Sequence, residues 1–338
     1  MNNHSKLFYE VVKKYDNIAE AAIKFYPFSH KSNIRLLNYS ENATYLVKDL
    51  STDQKYILRV CRPNYHTKSE IESELTWLKL IAAQEVVKAP LPVLGNNGIY
   101  IQDIWDQGQH YFCIMFNFLE GELLSEDNEK ILIKHFENVG EITAKLHDHT
   151  INNRDYLGNI TRFSWNYETI LGPNPKWGRW QDGLGMTPER VELFEKVSEK
   201  IKTRLDHFGS GPDKFGLIHG DLRLANLLVD GQDKIKVIDF DDCGFSYYLF
   251  DLAASLSFIE HKPFVPELIE AWLKGYRKVR PLSKEEEQEI STFIMMRRLH
   301  LIAWIGSRDN ETTRKMGIRY TEDTDILAKK YLQCTKIY

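Results

Sequence analysis

Two carboxylates and one amide stand at a spacing that suits phosphoryl transfer in the second half of the chain. Asp221 is followed five residues later by Asn226, and Asp239 comes thirteen residues after that. Phosphoryl transfer needs one carboxylate to orient the attacking hydroxyl and accept its proton, and oxygen ligands to hold Mg²⁺ against the nucleotide phosphates. The pattern therefore predicts Asp221 as the catalytic base and Asn226 and Asp239 as ligands of Mg²⁺, with ATP as the phosphate donor.

A loop followed by a β-hairpin is the element that would position these three side chains. Residues 226–229 and 234–239 are strand-like, and the polar residues 230–233 between them are typical of a turn. The assigned base then lies on the loop, the amide at its exit into the hairpin, and the second acid at the end of the returning strand. The apolar Leu228 on the first strand is predicted to line the floor under the adenine.

The first third of the chain has the pattern of short strands interrupted by one helix. Thr67 and Glu70 form a capping-box signature ahead of apolar residues at helical spacing. The other segments are rich in β-branched and aromatic residues and are separated by polar turns. The predicted order is three strands, a helix and two strands, the strands being residues 34–39, 44–50, 55–60, 99–105 and 111–118.

Helical periodicity dominates from Asn128 onward, apart from the hairpin that carries the acids. Residues 157–185 are rich in Gly, Pro, Asn and Trp and are predicted as loop. The change in pattern near residues 119–121 predicts two domains, residues 1–119 and residues 120–338. After the helical segment that begins near Asn128, further helices are predicted at residues 190–208, 250–261, 264–276 and 285–305.

These motifs resemble those of a known enzyme superfamily. Residues 219–226 (HGDLRLAN) and 238–239 are similar to the catalytic-loop and metal-site motifs of the aminoglycoside phosphotransferase and choline kinase superfamily. Residues 74–78 (ELTWL), 118–122 (FLEGE) and 239–245 (DFDDCGF) are most similar to its homoserine-kinase-type and stress-response-kinase branch.

The resemblance implies an α+β, protein-kinase-like fold with two lobes. A small antiparallel-sheet N-lobe would bind the nucleotide, and a larger, mainly helical C-lobe would hold the catalytic residues and the acceptor. It implies Mg-ATP as the donor and a hydroxyl group as the acceptor. It also implies for Asp221, Asn226 and Asp239 the roles that their chemistry already suggests.

A kinase-like small lobe also needs a cation on its third strand, held by a glutamate of the helix, to bind the α- and β-phosphates. Arg59 on the strand of residues 55–60 occupies the place where lysine is commoner. Glu74 is the matching acid by its resemblance to the family's E-x-x-W-L pattern, with Glu70 and Glu72 as competitors. The alternative is a surface Arg–Glu pair that contributes little.

The loop expected to cover the phosphates contains no glycine, so it departs from the Gly-rich loop of protein kinases. Backbone N–H groups between Ser40 and Thr44, including that of Asn42, are predicted to approach the phosphates. The adenine is predicted to meet the backbone of the hinge, residues 116–119 with Phe116 and Phe118 as its aromatic members, where a strand edge supplies hydrogen bonds without particular side chains.

Further polar residues around the motif have two interpretations each. His219 would be a general base or a brace of the catalytic loop, and bracing is favoured because the base is already assigned. Asp251 would contact that loop or only favour a helix N-terminus electrostatically. Arg223 would hold an anionic group or be a solvated loop residue. Asp241 and Asp242 are predicted as loop acids, with a second Mg²⁺ as the alternative for Asp241.

The bulk composition excludes some classes of protein. The 338 residues carry a formal net charge of −4, so there is no positive field for nucleic acid. No apolar run approaches the roughly 20 residues that span a bilayer, and no signal peptide is apparent. The four cysteines are scattered and predict buried, reduced thiols of a cytoplasmic protein. Oligomeric state cannot be read from the sequence.

The acceptor is predicted to be a small hydroxylated metabolite, such as an amino alcohol, a hydroxy amino acid or a sugar. From Asp251 onward 13 acids face 15 bases, so the acidic excess expected for polycationic antibiotics is missing. A protein serine or threonine, as in the stress-response branch, stays an alternative, as does a non-catalytic nucleotide-binding regulator. Trp165, Trp177, Trp180 and Trp304 are interpreted either as part of an acceptor pocket or as core packing.

Overall fold

The computed structural model describes residues 3–28, 31–40, 42–308 and 311–333. The chain divides into a first unit, Met1–Ala83 with Ala89–Glu120, and a second unit, Gln84–Lys88 with Gly121–Tyr338. The predicted boundary between residues 119 and 120 lies one residue before the division after Glu120.

The first unit is built on a five-stranded antiparallel sheet with the strand order β1-β2-β3-β5-β4. Side chains of β2 alternate strictly between buried and half-buried, as expected for a strand with one face on the core. The predicted order of three strands, a helix and two strands is confirmed. The strands are β1 Ser32–Tyr39, β2 Ala43–Asp49, β3 Lys55–Val60, β4 Ile101–Asp106 and β5 Gln109–Asn117.

Two helices accompany this sheet, α1 (Asn3–Ile23) and α2 (Lys68–Ala83). The predicted capping box at α2 is present, because Glu70 N–H donates to the Thr67 hydroxyl and Thr67 N–H donates to the Glu70 carboxylate. Helix α1 was not predicted. Its apolar face, with Ile18 and Ala22 fully or almost fully buried, packs into the same hydrophobic core as the sheet.

The second unit is mainly helical. Helix α6 begins with a Thr187 cap, and α9 begins with a capping box in which the Ser283 hydroxyl accepts from Glu286 N–H. Helix α10 was not predicted, and it is kinked at Gly317. The helices are α3 Glu129–Asn152, α4 Arg154–Leu157, α5 Tyr167–Ile170, α6 Pro188–Phe208, α7 Leu249–Ser255, α8 Val265–Tyr276, α9 Lys284–Ser307 and α10 Glu311–Gln333.

Two small sheets in the second unit hold the predicted motif. One has the order β10-β9-β6 and the other β7-β11-β8, in which β7 and β11 are parallel. The predicted hairpin is present as β9 and β10, paired antiparallel through Leu228 and Lys236. The strands are β6 Glu122–Leu123, β7 Ser164–Trp165, β8 Phe215–Ile218, β9 Leu227–Val229, β10 Ile235–Val237 and β11 Gly244–Tyr247.

Two predictions about the second unit need correction. The helix predicted for residues 250–261 ends at Ser255, whose hydroxyl donates to Leu252 O, and Phe258 has a φ of 74° that a continuing helix cannot contain. The segment 157–185 is not loop throughout. It contains the short strand β7, the single-turn helix α5 and a 3-10 turn at Trp180–Asp182.

Two bulk properties can be compared with the structure. Across the part of the chain that the structure describes, every helix is too short or too polar to span a membrane. Cys61, Cys113 and Cys243 are buried, as predicted, whereas Cys334 lies outside the described residues.

Candidate active site

The predicted catalytic loop connects β8 to β9. Gly220 has a φ of 81°, a backbone conformation that only glycine adopts without strain. The loop ends in a 3-10 turn, Leu224–Asn226, which leads directly into β9. Asp221 therefore follows a buried strand and a left-handed residue, and its side chain is held by contacts rather than by regular secondary structure.

The Asp221 carboxylate, in a residue only 9% exposed, is held by three side chains. The Asn226 amide donates to Asp221 Oδ2 at 2.8 Å and also to the Asp221 backbone oxygen at 2.8 Å. Arg223 Nε donates to the same Oδ2 at 3.1 Å, and Arg297 donates to Oδ1. These charge-assisted bonds fix the direction of the carboxylate before any ligand binds.

Backbone bonding brings Asp239 to the same loop. Ile238 N–H donates to Asn226 O at 3.0 Å. This bond holds the neighbour of Asp239 against Asn226, the other predicted ligand of Mg²⁺. Asp239 itself is exposed and has a φ of 63°. Because Asn226 uses its amide nitrogen on Asp221, its oxygen is the atom suited to a metal. A carboxylate and an amide oxygen are a donor set that Mg²⁺ accepts.

Asp251 on α7 accepts hydrogen bonds from two N–H groups of the catalytic loop. Gly220 N–H donates to Oδ1 at 2.8 Å and His219 N–H to Oδ2 at 3.2 Å. His147 Nε2 lies 3.0 Å from the same Oδ2, and its Nδ1 lies 2.9 Å from the Tyr276 hydroxyl. Since a carboxylate only accepts, the imidazole proton is on Nε2 and Tyr276 donates to Nδ1.

Burial is the main electrostatic influence on this chain of contacts. It lowers the pKa of His147, and the Asp251 carboxylate opposes that shift only in part. Burial likewise raises the pKa of Tyr276. The imidazole is therefore neutral at neutral pH and acts as a fixed link between α3, α7 and α8.

His219 makes hydrogen bonds to backbone groups through both ring nitrogens. Its Nε2 donates to Ile238 O at 3.1 Å, and its Nδ1 accepts from Asp221 N–H at 3.2 Å. The ring lies 4.6 Å from that of Phe240. These contacts are those of a brace between the catalytic loop and the strand that leads to Asp239.

The first unit contains the predicted cation and acid. Arg59 and Glu74 form a bidentate pair, with bonds of 2.8 and 2.6 Å, and their side chains are 7% and 1% exposed. Of the two competing acids, Glu70 is used by the helix cap and Glu72 is exposed. The pair is buried rather than the weak surface pair that was the alternative.

The loop between β1 and β2 uses several of its polar groups internally. Ser40 N–H donates to Asn42 O at 3.1 Å, and the Asn42 side-chain oxygen accepts from Arg62 N–H at 3.0 Å. Asn42 thereby ties the loop to the end of β3. Glu41 lies outside the described residues.

The predicted hinge is held by neighbouring backbone. Phe116 is buried on β5 opposite Ile57. Asn117 N–H donates to Leu91 O, and Phe118 N–H donates to Lys55 O. Neither of these N–H groups is available for an adenine. In the second unit, Leu228 lies on β9 and is only 9% exposed.

A family model described as a phosphotransferase enzyme family matches residues 34–282. The chain belongs to this phosphotransferase family. The match begins within β1, extends past α8 and includes every residue described above as holding the predicted catalytic loop except Arg297.

Relatives and solved structures give the same family. The structure of a microcompartment-associated aminopropanol kinase is 38% identical, with a TM-score of 0.87, over 95% of this chain and 99% of that one. The amicoumacin kinase of Bacillus subtilis (strain 168) is 25% identical over 83% of this chain and 82% of that protein. A homoserine kinase of Gluconobacter oxydans is 24% identical over 83% and 85%. The phosphotransferase is thus a kinase that acts on a hydroxyl group, and the predicted α+β, protein-kinase-like fold class is confirmed.

Sequence reasoning missed Arg297 of α9, which contacts the Asp221 carboxylate, the predicted base of this phosphotransferase. Its Nε donates to the Ser257 hydroxyl at 3.0 Å, and its guanidinium lies 5.4 Å from the Trp177 ring and 5.7 Å from the Phe250 ring. The only signal was the pair of arginines at 297–298 inside an apolar helical run, since buried arginines require partners.

The four tryptophans that were considered for an acceptor pocket lie in two separate groups. Trp177 stacks on His300 with ring centroids 4.0 Å apart, and Trp165 and Trp304 lie 5.2 and 6.5 Å from Trp177. Trp180 packs instead against Phe194. His300 is fully buried, and neither ring nitrogen has a hydrogen-bond partner among the described residues. Burial, and then the charge of Arg297, hold its pKa well below the usual range.

Proposed function

We propose that the protein transfers the γ-phosphate of ATP, in the presence of Mg²⁺, to the hydroxyl group of a small amino alcohol, with Asp221 as the base. The observation that carries this proposal is the double contact of the Asn226 amide with Asp221, combined with the backbone bond from Ile238 to Asn226. Together they link the proposed base to both proposed metal ligands through the chain itself.

In this proposal each side chain has a separate task. The Asp221 carboxylate orients the acceptor hydroxyl and receives its proton as the new O–P bond forms. Arg223 and Arg297 keep that carboxylate in one direction. Asn226 and Asp239 would hold Mg²⁺, which when bound neutralises the charge of the transferred phosphoryl group.

The first unit has the chemistry to hold nucleotide phosphates. Arg59 is kept in place by Glu74, so its charge is positioned without a large entropic loss on binding. Ser40 and Asn42 stay candidates for backbone contacts to phosphate. At the hinge, Leu119 is the candidate for adenine recognition, because its N–H makes no hydrogen bond to another described residue.

The acceptor class is supported by the likeness to an aminopropanol kinase at 38% identity over nearly the whole of both chains. The homoserine kinase relative keeps a hydroxy amino acid as the next candidate. We propose the half-buried Trp304 as an aromatic contact on the acceptor side. Behind it lie the buried rings of Trp177 and His300, and Arg297 joins Trp177 to Asp221.

The test is ADP release against an acceptor panel at fixed Mg-ATP. The panel contains 1-amino-2-propanol, ethanolamine, homoserine, hydroxylysine, glucose and a dephosphorylated protein such as casein. We expect the highest kcat/KM with an amino alcohol, and phosphate on its oxygen by mass spectrometry. Transfer to casein but to no small alcohol would favour the protein-kinase alternative. ATP binding without release of ADP under any condition would favour a non-catalytic regulator.

A further inference from the structure

The turn that follows Asp239 is held by side chains from a distant part of the sequence. Asp239 begins the turn with a φ of 63°, and Cys243 N–H closes it by donating to Phe240 O at 3.0 Å. The chain then enters β11 at Gly244. A turn of this kind has no ladder of hydrogen bonds to fix it, so the remaining carbonyl groups need other donors.

Two side chains supply those donors. Arg162 donates through Nη2 to Asp241 O and through Nε to Cys243 O, and it is 8% exposed. Trp165 Nε1 donates to Asp242 O at 2.8 Å, and the residue is 1% exposed. Every carbonyl from residue 240 to residue 243 therefore accepts a hydrogen bond, and three of the four bonds come from residues 162 and 165.

Backbone pairing fixes this brace in register. Phe245 N–H donates to Phe163 O at 2.9 Å, and β7 pairs in parallel with β11 through Ser164 and Phe245. The guanidinium of Arg162 also lies 4.7 Å from the ring centre of Phe163. The position of the two donors is thus set by a short sheet rather than by a loop that can drift.

The same turn is packed against the catalytic loop. A Cβ atom on Gly220 would lie 2.6 Å from Asp242 O and 3.1 Å from Trp165 Nε1. The carbonyl that Trp165 holds is therefore in close contact with the residue before Asp221. A displacement of the turn would therefore have two effects. It would move Asp239, the proposed metal ligand, and it would push against Gly220, the residue before the proposed base.

We propose that Arg162 and Trp165 are positioning residues that set the affinity of the site for its divalent metal. They contact no reacting group and act only by fixing the turn that carries Asp239. This inference rests on the proposed function, because it takes Asp239 as a metal ligand. It also gives residues 162–165 of the Trp-rich segment a task distinct from lining an acceptor pocket.

The test measures metal binding directly. Mn²⁺, which accepts the same oxygen ligands as Mg²⁺, is titrated into the full chain saturated with ADP, and free Mn²⁺ is followed by electron paramagnetic resonance. Partners behind metal ligands typically change metal affinity by about 10- to 100-fold. We expect Arg162→Gln to weaken Mn²⁺ binding by roughly that factor, and Arg162→Lys to restore part of it because one donor remains.

Arg154→Gln is the matched control, since Arg154 also donates to a backbone oxygen of the same unit, that of Pro212. It should leave the Mn²⁺ affinity unchanged. Trp165→Phe keeps an aromatic six-membered ring in place and removes the N–H donor to Asp242 O together with the pyrrole part of the indole, so it tests the brace if the arginine variants fail to fold. We expect a smaller loss, about 3- to 10-fold, for the single lost bond.

Asp239→Asn separates the two levels of the proposal. If Asp239→Asn leaves Mn²⁺ binding intact, the proposed function is wrong at its metal site. If Asp239→Asn abolishes binding while the folded Arg162→Gln, Arg162→Lys and Trp165→Phe proteins bind Mn²⁺ like the Arg154→Gln control, the bracing role is overturned.

Discussion

Replacing Gly220 by alanine tests whether the proximity of the loop that carries Asp221 to the turn that follows Asp239 matters for activity. The new Cβ would lie 2.6 Å from Asp242 O, whereas ordinary contacts begin near 3.4 Å. One of the two segments must therefore move by about 0.8 Å, the difference between these distances. A misplacement of about 1 Å in a catalytic constellation can lower the rate by about 100-fold, which corresponds to about 2.7 kcal/mol.

Gly98→Ala is the control for the backbone alone. Gly98 has a φ of 74°, close to the 81° of Gly220, but a Cβ there meets nothing within 4 Å. Both variants should lose about 1–2 kcal/mol of stability from the left-handed conformation. Only Gly220→Ala should show a lower kcat.

The assay is steady-state ADP release with the preferred acceptor, together with thermal melts of both variants. A kcat of Gly220→Ala within about 3-fold of the unsubstituted protein, at a folded fraction equal to that of Gly98→Ala, would refute the reasoning. It would mean that the contact between the loop and the turn can relax without disturbing the proposed catalytic groups.

Three further predictions concern the buried side chains of Arg297, Glu74 and His300. Arg297→Lys should lower kcat by about 10-fold with the KM for ATP unchanged, because one of the charge-assisted bonds to Asp221 is weakened; an altered KM for ATP with normal kcat would contradict this. Glu74→Gln should raise the Kd for ADP by about 10-fold, because one of the two charge-assisted bonds that hold Arg59 loses its acceptor, and isothermal titration calorimetry measures that Kd. His300 has a folded-state pKa below its unfolded value, so its contribution to stability is complete above about pH 6.5 and is lost as the pH falls below that value. Urea unfolding between pH 7.5 and 5.5 should show a free energy that falls less steeply in His300→Gln, by up to about 1.4 kcal/mol per pH unit, and equal slopes would exclude a buried neutral imidazole.

The sequence predicted the strands of the first unit well, because their alternating and β-branched patterns are local. Strand β3 was predicted with the observed bounds, Lys55–Val60. The capping box at Thr67 was also readable, since it depends on residues three positions apart. Helices α1 and α10 were missed. In α1 the alanines at 19 and 22 give a weak hydrophobic signal although both are fully buried.

For the candidate site, the sequence predicted residues that lie within one motif. The motif placed Asp221 and Asn226 on one loop with separate roles, and the structure adds a direct hydrogen bond between their side chains. The sequence predicted neither the contact of Arg297, which comes from α9 far along the chain, nor the bonds from Arg162 to the turn that follows Asp239. Both are long side chains whose partners are backbone or carboxylate groups of distant elements, and no local pattern encodes such a pairing.

Asp251 shows what the structure adds to an ambiguous pattern. An acid at the start of a helix is common for electrostatic reasons alone, so its sequence context favoured neither interpretation. In the structure it accepts from His219 N–H and Gly220 N–H. The contact depends on how α7 packs beside the loop, which cannot be read from the residues around Asp251.

The most direct test of the proposed chemistry is single-turnover transfer of labelled γ-phosphate from ATP to the preferred acceptor by Asp221→Asn. The exposed Asp213 just before β8 provides Asp213→Asn as a control of equal charge change. A positioned general base contributes about 100- to 10,000-fold, so the account predicts a loss of that size with unchanged affinity for ATP and full activity in the control. An Asp221→Asn protein that transfers phosphate at the rate of the control would contradict it.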